Sequence, residues 1–385
     1  MTLQLALETR QPKQSDPGMR PAVPQPIAIM IGQLAQGGSE RQLYAFLAHC
    51  ARSRWQPVVY VSGQLGYWEE PIRSLGIEVV LLQGGRISKM RQLRADCLQR
   101  NVTCFFSWSS YTNAFALSLM GSGIRRIGSF RNAMFADLPS RFRAVWSWAS
   151  LAGISVAVCN SRDTCEQLAR RPLLRPRAVY VPNVVERPAA ETIAQQRREW
   201  RARLGIEDEA ILVLGVGRLT VQKRFDRFID VIARVRAEIP AQAVIAGGDF
   251  GCREGLEEEI RSLGLQSSVR LIGTVPDARN LMCAADVFLL TSDFEGMPNV
   301  VLEAMAAGTP CVATAVNAVP DLIEHGVTGF TAACDAADLA RHVCRLARDP
   351  ALRDRIGRQS RAAVGQGRDP RTLARRLWDL CEAEA

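Results

Sequence analysis

The sequence of 385 residues has no apolar run long enough to cross a bilayer as a helix, although 48% of its residues are hydrophobic. Its three histidines, His49, His325 and His342, lie far apart, and its 11 cysteines include no C-x-x-C pair. There is also no D-x-D pair of acids. We therefore expect no bound metal ion and no disulfide framework, and we expect most cysteines to be small core residues.

The start of the chain also lacks apolar character. Residues 1–26 contain five prolines and no long hydrophobic stretch, a composition typical of a disordered tail and not of a secretory signal. This composition and the missing membrane span predict a cytoplasmic protein.

Lysine is scarce, since only 3 of the 48 basic residues are lysines, and the net charge of +9 is unevenly placed. Residues 1–205 hold 27 Lys and Arg against 13 Asp and Glu, whereas residues 206–385 hold 21 against 26. The basic first half indicates an anionic partner: a phosphorylated substrate, an acidic membrane surface or nucleic acid. An arginine-rich composition without a ligand is the alternative. No nucleic-acid-binding motif is present, so nucleic acid is not expected.

The length exceeds what one hydrophobic core usually supports, and short β-branched runs alternate with longer amphipathic stretches. This pattern predicts an α/β fold of two consecutive doubly wound domains. Polar residues interrupt the strands after Pro182, and Leu373, Leu377 and Trp378 predict a packed terminal helix. The predicted divisions are a tail at 1–26, an N-terminal domain at 27–187, a linker at 188–206, a C-terminal domain at 207–368 and the terminal helix at 369–385.

The segment from Asp293 to Gly308, DFEGMPNVVLEAMAAG, follows an apolar run and predicts a strand, a glycine-containing loop and a helix. Pro298 suits the first helical turn, and Gly308 suits a left-handed helix end. The free N–H groups of Asn299 and Val300 would then face a crevice and favour a phosphate.

Two carboxylates accompany this anion site, Glu295 in the loop and Glu303 about one turn inside the helix. Such carboxylates can accept hydrogen bonds from the hydroxyl groups that sugars and ribose supply. The combination predicts a site for a nucleotide-activated sugar. The alternative is that Glu295 is a surface loop acid and Glu303 an ordinary acid on a helix face.

A second strand-to-helix turn is predicted from Val216 to Asp226, VGRLTVQKRFD. Arg218 and Lys223 flank this turn, where a diphosphate would meet both cations and free backbone amides. Because lysine is so scarce, the position of Lys223 is informative. A solvated cationic loop is the alternative.

A third turn is predicted from Ile31 to Leu43, IGQLAQGGSERQL, where the first strand runs into Gly37 and Gly38 and then a helix capped by Ser39. Paired glycines let a ligand approach the backbone, and the helix start offers amides to a phosphate or an acceptor hydroxyl. Many Rossmann-like domains have a comparable turn only for close packing of strand and helix.

Several segments together resemble glycosyltransferase family 4: GRLTVQK, the GGDF at Gly247, VRLIGTV, ADVFLLTSDFEGMPNVVLEAMAAGTPCVAT and HGVTGF. The resemblance is strong from Ile211 to Phe330. It is looser in the first half, where it rests on Gly37-Gly38, Asn160-Ser161 and the VPN at 181–183. It implies the GT-B fold, in which two Rossmann-like doubly wound domains face a central cleft, a C-terminal helix packs back, and the donor lies mainly on the C-terminal domain.

The resemblance also implies a set of roles in the donor site. It assigns binding of the diphosphate to Arg218 and Lys223, with backbone amides of Asn299 and Val300 and, across the cleft, Gly38. Glu303 would bind the ribose hydroxyls, and Glu295 the hydroxyls of the transferred sugar. The nucleobase would lie near Gly217, Thr274 and Val275.

Members of this family transfer sugars with retention of configuration and without an essential metal, commonly by front-face attack in which the leaving phosphate helps to deprotonate the acceptor. The resemblance therefore implies a hexosyl- or N-acetylhexosaminyltransferase with a nucleotide-diphosphate sugar, a UDP-sugar being favoured, and no further cofactor. Glu295, Lys223 and Arg131 take the catalytic roles, with the glutamates as hydroxyl anchors. Many members have a histidine where GSFRN offers Arg131 and Asn132, and Asn183-Val184 replaces the usual N-G, which indicates a distinct subfamily.

The acceptor side is predicted from Ser107 to Asn113, SWSSYTN, just beyond a strand of the first half. Trp108 and Tyr111 would stack on an acceptor sugar, beside Gly37 and Asn132. Packing inside the core is the alternative.

A helix carrying Arg141, Arg143, Trp146 and Trp148 suits a membrane interface or, alternatively, a buried domain interface. An anionic membrane surface would fit a glycan or polyprenyl-linked glycan acceptor in surface polysaccharide synthesis, with the protein peripheral on the inner face of the plasma membrane. A GT-B epimerase, a phosphorylase and a non-catalytic nucleotide-sugar-binding protein are the competing functions.

Overall fold

The computed structural model describes residues 23–135, 138, 141–171, 173–174, 176–365 and 369–382. The predicted tail therefore lies outside the described residues up to position 22, as do the last three positions of the chain. The described residues form two α/β domains, each with helices on both faces of a parallel sheet. No helix in this part of the chain is long and apolar enough to span a membrane.

The N-terminal domain contains one sheet of seven parallel strands, whose central members are buried on both faces because helices cover both sides. The strands are β1 Gln25–Ile31, β2 Trp55–Val61, β3 Glu78–Leu81, β4 Cys104–Ser107, β5 Arg125–Phe130, β6 Val156–Cys159 and β7 Arg177–Tyr180. Their order across the sheet is β3-β2-β1-β4-β5-β6-β7.

Six helices surround this sheet, and a 3-10 helix follows the fourth of them. The helices are α1 Gly38–Ala48, α2 Glu69–Ser74, α3 Arg86–Gln99, α4 Ser110–Asn113, α5 Arg143–Ala152 and α6 Arg162–Ala169, and the 3-10 helix is Ala114–Leu119.

The next helix, α7 Ala190–Leu204, occupies the segment that we predicted as a linker. This segment is helical and packs on the C-terminal domain. Arg201 is 1% exposed and donates to the Ala284 carbonyl, 2.9 Å away, and to the Asp286 carboxylate. The polar residues that resembled a linker are mostly on the outer side of this helix.

The C-terminal domain repeats the architecture with six parallel strands and six helices, and a 3-10 turn at Val221–Lys223. The strands are β8 Ile211–Val216, β9 Ala241–Ala246, β10 Val269–Gly273, β11 Val287–Leu290, β12 Cys311–Thr314 and β13 Gly329–Ala332, in the order β10-β9-β8-β11-β12-β13. The helices are α8 Phe225–Arg236, α9 Arg253–Ser262, α10 Ala278–Met282, α11 Asn299–Ala307, α12 Ala336–Arg348 and α13 Pro350–Gly365.

The last helix, α14 Pro370–Glu382, leaves the C-terminal domain and packs on the N-terminal one. The ring of Trp378 stacks on that of Phe46, with centroids 4.2 Å apart, and on that of Trp55, 5.7 Å away. The predicted packed terminal helix is confirmed. Because it belongs to the N-terminal core, it links the two domains a second time.

Both sheets have a topological switch point, where the chain order reverses. The switch lies between β1 and β4 in the first sheet and between β8 and β11 in the second. In open parallel sheets, ligands bind outside the carboxyl ends of the strands at such points. The loops after β1, β4, β8 and β11 are therefore the places where the structure should hold its functional residues.

Candidate functional site

The loops after β8 and β11 bring Lys223 and Glu295 into direct contact. The Lys223 ammonium lies 2.6 Å from Glu295 Oε1, and both side chains are mostly buried. The Ser292 hydroxyl donates to the same oxygen at 2.6 Å. Among the described residues no hydrogen bond reaches Oε2 of Glu295, so this oxygen remains able to accept from a ligand hydroxyl.

A network of cations and acids fixes the loop that carries Glu295. Arg224 and Arg227 both pair with Asp293, at 3.1 and 2.8 Å. The backbone N–H of Glu295 donates to Asn317 Oδ1 at 3.0 Å. The loop is anchored at the Asp293 carboxylate and at the Glu295 N–H, and these contacts keep the Glu295 carboxylate beside Lys223.

Arg218 lies on the opposite side of the turn and is exposed to solvent. Its guanidinium stands 5.4 Å from the ring of Phe250, and no acid among the described residues forms an ion pair with it. The turn is compact because Gly217 and Gly247 touch: a Cβ on Gly247 would lie 1.7 Å from the Gly217 carbonyl oxygen. Lys223 packs over Gly217, which places both cations around one strand end.

Glu303 is buried in α11 and forms an ion pair with Arg41 of the N-terminal domain. Burial raises the pKa of Glu303, because removing a carboxylate from water costs more than the charge and hydrogen bond of Arg41 return. Burial likewise raises the pKa of Glu40 on the facing helix, against the opposing attraction of Arg218. Acids and cations from both domains therefore meet across this cleft.

The start of α11 is a second contact between the domains. Asn299 Oδ1 accepts from Gln42 Nε2 at 3.2 Å and from Asn183 Nδ2 at 2.9 Å. A Cβ on Gly38 would lie 2.3 Å from Asn299 Nδ2, so a larger residue there would displace the Asn299 side chain. Val300 follows in the first turn of α11 and is half-buried. The helix starts of α1 and α11 thus face one another.

The Glu295 loop also touches the N-terminal domain through Gly296. A Cβ there would lie 2.6 Å from the Arg131 carbonyl oxygen and 2.7 Å from Asn132 Cα. The Arg131 guanidinium lies 3.6 Å from the centre of the Trp108 ring, and burial lowers the pKa of Arg131 to about 9, which leaves it charged at neutral pH. The backbone of Arg131 therefore contacts the Glu295 loop, while its guanidinium lies over Trp108.

Three buried polar atoms around the cleft have no hydrogen-bond partner among the described residues: Thr220 Oγ1, Arg131 Nε and Asn183 Oδ1. Buried polar groups are nearly always hydrogen-bonded in folded proteins. They belong to a set of ten such atoms that are spread over both domains of the described chain.

Two details of the prediction are wrong. Trp108 is 1% exposed, donates from its ring nitrogen to the Ser39 carbonyl at 3.0 Å, and packs against Phe46 and Arg131, so it has no free face for an acceptor sugar. Ser39 does not cap α1, because Gly37 is the capping residue and the cap has no side-chain hydrogen bond. Tyr111 is half-buried and stacks on Trp146.

The loop predicted for the nucleobase, at Thr274 and Val275, is bridged by the N-terminal domain. Gln36 Nε2 donates to the carbonyls of Val275 and Pro276, at 3.2 and 3.0 Å. Thr274 is exposed and its hydroxyl lies beside Gly248. The roles of these residues in base recognition stay predictions.

Sequence reasoning missed three side chains that cross the cleft, Gln36, Arg41 and Gln42, and also Asn317, which accepts from the Glu295 N–H within the C-terminal domain. A signal existed for two of them, because Arg41 and Gln42 follow Gly38 by three and four positions and share its face of α1. Nothing local distinguished Asn317, which has a φ of 43° in the turn after β12.

The two switch-point sheets, the cleft between them and the returning helix define the GT-B fold. Residues 196–363, most of the C-terminal domain, match the family model of glycosyl transferases group 1. The resemblance to the GT-B glycosyltransferases inferred from the motifs is thereby confirmed.

Two relatives with known names each match less than half of the chain. The chain is 27% identical over 164 residues to N-acetyl-alpha-D-glucosaminyl L-malate synthase of Bacillus anthracis, covering 42% of each chain. It is 32% identical over 168 residues to the lipopolysaccharide core biosynthesis glycosyltransferase LpsE of Rhizobium meliloti, covering 43% of this chain and 48% of the relative. The chain thus spans less than half the length of these relatives. The solved structure of Anabaena HepE with UDP and glucose matches 92% of this chain and 99% of its own at 20% identity, with a TM-score of 0.81.

Proposed function

We propose that the protein is a retaining glycosyltransferase that moves a hexosyl or N-acetylhexosaminyl group from a nucleotide-diphosphate sugar to a hydroxyl of a glycan or lipid-linked glycan. The observation that carries the proposal is the Lys223–Glu295 pair, 2.6 Å apart, in a loop whose Gly296 contacts the Arg131 backbone across the cleft. It combines a cation for a diphosphate with a carboxylate for sugar hydroxyls. The named relatives and the surface polysaccharide pathway of LpsE support a role in surface glycan synthesis.

The reaction needs charge stabilisation more than it needs a base. When the bond between the sugar and the diphosphate breaks, negative charge grows on the leaving phosphate, where Arg218 and Lys223 would lie, with Arg131 opposite. Glu295 would orient the sugar through its hydroxyls, and Glu303 would hold the ribose. The leaving phosphate would receive the acceptor proton, because Glu295, the acid beside Lys223, is paired with that cation and would hold the sugar hydroxyls.

We favour a UDP-sugar as donor because HepE, which shares the fold, was solved with UDP and with UDP-glucose. No further cofactor is proposed, since Arg218 and Lys223 supply two positive charges for a diphosphate. A nucleotide-sugar epimerase and a non-catalytic binding protein remain the alternatives, and both would bind the donor without transferring the sugar.

A panel of UDP-, GDP- and ADP-sugars tests the proposal. We expect one class to raise the Tm by about 5 °C at a hundredfold excess over its Kd, and to be hydrolysed slowly without acceptor. EDTA should leave both effects unchanged. Indifference to every nucleotide-sugar would refute the assignment, and conversion of one donor sugar to its epimer would favour the epimerase.

We also propose that the N-terminal domain contacts an anionic membrane surface through α5. Phe142, Val145 and Trp148 are 66%, 62% and 54% exposed, and Arg141 and Arg143 lie beside them. Exposed aromatic side chains next to arginines are typical of helices that lie in a membrane interface. This contact would place the protein on the cytoplasmic face of the membrane that carries its acceptor.

Vesicle co-sedimentation tests this contact. We expect binding to vesicles that contain phosphatidylglycerol and not to pure phosphatidylcholine, and we expect Trp148→Ser to weaken it about tenfold. Leu263→Ser is the matched control, since Leu263 is 47% exposed but lies on the acidic C-terminal domain. Equal loss in both variants, or no preference for the anionic lipid, would contradict the proposal.

A further inference from the structure

A small cavity lies beyond the carboxyl ends of β2, β3 and β4 in the N-terminal domain. It has a volume of about 80 Å³, and its lining includes Ser62, Arg86, Lys89, Tyr111 and Trp146. We call it the Tyr111 pocket. These side chains come from α3, α4, α5 and the end of β2, so four elements separated in sequence converge on it.

The lining of the Tyr111 pocket combines aromatic rings with two cations. The rings of Tyr111 and Trp146 are stacked, with centroids 6.0 Å apart and planes 26° from parallel. The Arg86 guanidinium lies 4.3 Å from the centre of the Trp146 ring. The Lys89 ammonium donates to the Ser62 carbonyl, which fixes it at the rim. A flat ring and a negative group could therefore both be recognised here.

The two cations of the Tyr111 pocket have no acidic partner among the described residues. A larger groove of about 770 Å³ between α8 and α12 also contains arginines, but there Arg341 pairs with Asp338 and Arg348 with Glu238. Arginines in such pairs are already neutralised. Arg86 and Lys89 instead leave a net positive charge at the edge of a partly enclosed space, which attracts anions.

Backbone contacts connect the Tyr111 pocket to the donor cleft. The Ser62 N–H donates to the Ile31 carbonyl at 3.1 Å, and the Trp108 N–H donates to the Met30 carbonyl at 2.7 Å, so both residues adjoin the end of β1. Trp108 precedes Tyr111 by three residues and carries Arg131 on its ring. The Tyr111 pocket therefore lies at the same edge of the N-terminal sheet as Arg131 and Asn132, which contact the Glu295 loop.

We propose that the Tyr111 pocket binds an anionic group of the acceptor, a phosphate or a carboxylate, between Arg86 and Lys89, with the adjoining part of the acceptor against Tyr111 and Trp146. The volume exceeds the roughly 10–15 Å³ that one water needs on the same measure, so the pocket has room for a small anionic group. This inference rests on the proposed function, because it names the chemical class of the acceptor.

Phosphate binding in the presence of saturating UDP tests the proposal, because UDP blocks the donor diphosphate site. Calorimetric titration with inorganic phosphate and with glycerol 3-phosphate should show binding to the unmodified protein, and glycerol should not bind. Arg86→Gln and Lys89→Gln should each weaken phosphate binding by about 10- to 100-fold, the usual effect of losing a charged hydrogen bond. Arg91→Gln, on the exposed side of the same helix, is the matched control and should retain full affinity.

Vesicles of phosphatidylcholine with phosphatidic acid, offered as competitors, distinguish a lipid-borne phosphate from a soluble one. Binding of glycerol 3-phosphate supports a soluble acceptor, and binding of the vesicles alone, lost in Arg86→Gln, supports a lipid-linked one. If neither glycerol 3-phosphate nor the vesicles bind, or if all three substitutions weaken binding equally, the proposal of an anion site in the Tyr111 pocket is wrong. Failure of UDP itself to bind would instead refute the proposed function, and the two failures are therefore separable.

Discussion

Lys223→Ala is expected to reduce the rate of sugar transfer by about 100- to 1,000-fold, the range found when one stabilising contact to a developing negative charge is removed. Lys223 is held 2.6 Å from Glu295 and packs over Gly217 at the end of β8. Its ammonium is therefore preorganised where the leaving diphosphate would lie. The measurements are kcat and KM for the nucleotide-sugar, and kcat should carry most of the loss.

The same substitution should also destabilise the fold, by roughly 1 to 3 kcal/mol, because it leaves Glu295 mostly buried without its cation. The double variant Lys223→Met, Glu295→Gln removes both charges and should recover much of this stability while transfer stays impaired. This double variant separates the loss of a catalytic cation from a damaged fold.

Arg234→Ala is the control for Lys223→Ala, since Arg234 forms an exposed ion pair with Asp230 on α8. Exposed pairs contribute little, so we expect transfer and stability close to those of the unmodified protein. Unchanged kcat in Lys223→Ala, with the fold intact, would show that the diphosphate is neutralised elsewhere.

The sequence predicted the parts of the site that lie within one domain. Lys223 and Glu295 are 72 residues apart, yet both follow strands that are neighbours at a switch point, so a parallel α/β pattern was sufficient to bring them together. The predicted fold of two consecutive doubly wound domains is present as two parallel sheets.

The contacts across the cleft could not be predicted, because no local pattern encodes how one domain sits on the other. The pairing of Arg41 with Glu303 and the approach of Gly38 to Asn299 join residues more than 250 positions apart. The misassignment of Trp108 has a related cause. A tryptophan after a strand can face solvent or core, and only the tertiary contact with Ser39 and Arg131 decides between them.

Glu303→Gln is expected to raise the KM for the nucleotide-sugar by about 10- to 100-fold, because a neutral amide replaces a carboxylate that would accept hydrogen bonds from the ribose hydroxyls. The effect on kcat should be smaller, since the ribose is remote from the bond that breaks. A KM equal to that of the unmodified protein would refute the role of Glu303 in donor binding.

The same variant should be as stable as the unmodified protein or more stable at neutral pH, and the direction follows from the raised pKa of Glu303. Burial raises that pKa above its ordinary value of 4.5, so the folded protein holds the proton more tightly than the unfolded chain. The stability that this group contributes is complete below pH 4.5 and is lost as the pH rises through the raised pKa. Glutamine does not titrate, and its advantage should therefore grow with pH.

The variant Arg41→Gln is the control for this prediction. The charge and hydrogen bond of Arg41 lower the pKa of Glu303, in opposition to burial. Arg41→Gln should therefore raise the pKa of Glu303 further and move the pH-dependent loss of stability to higher pH. The Tm of the unmodified protein and of both variants, measured between about pH 4 and 8, shows in which order they lose stability as the pH rises. If the Tm difference between Glu303→Gln and the unmodified protein is the same at every pH in this range, the buried carboxylate is already fully compensated by Arg41. The raised KM would then have to come from the lost charge alone.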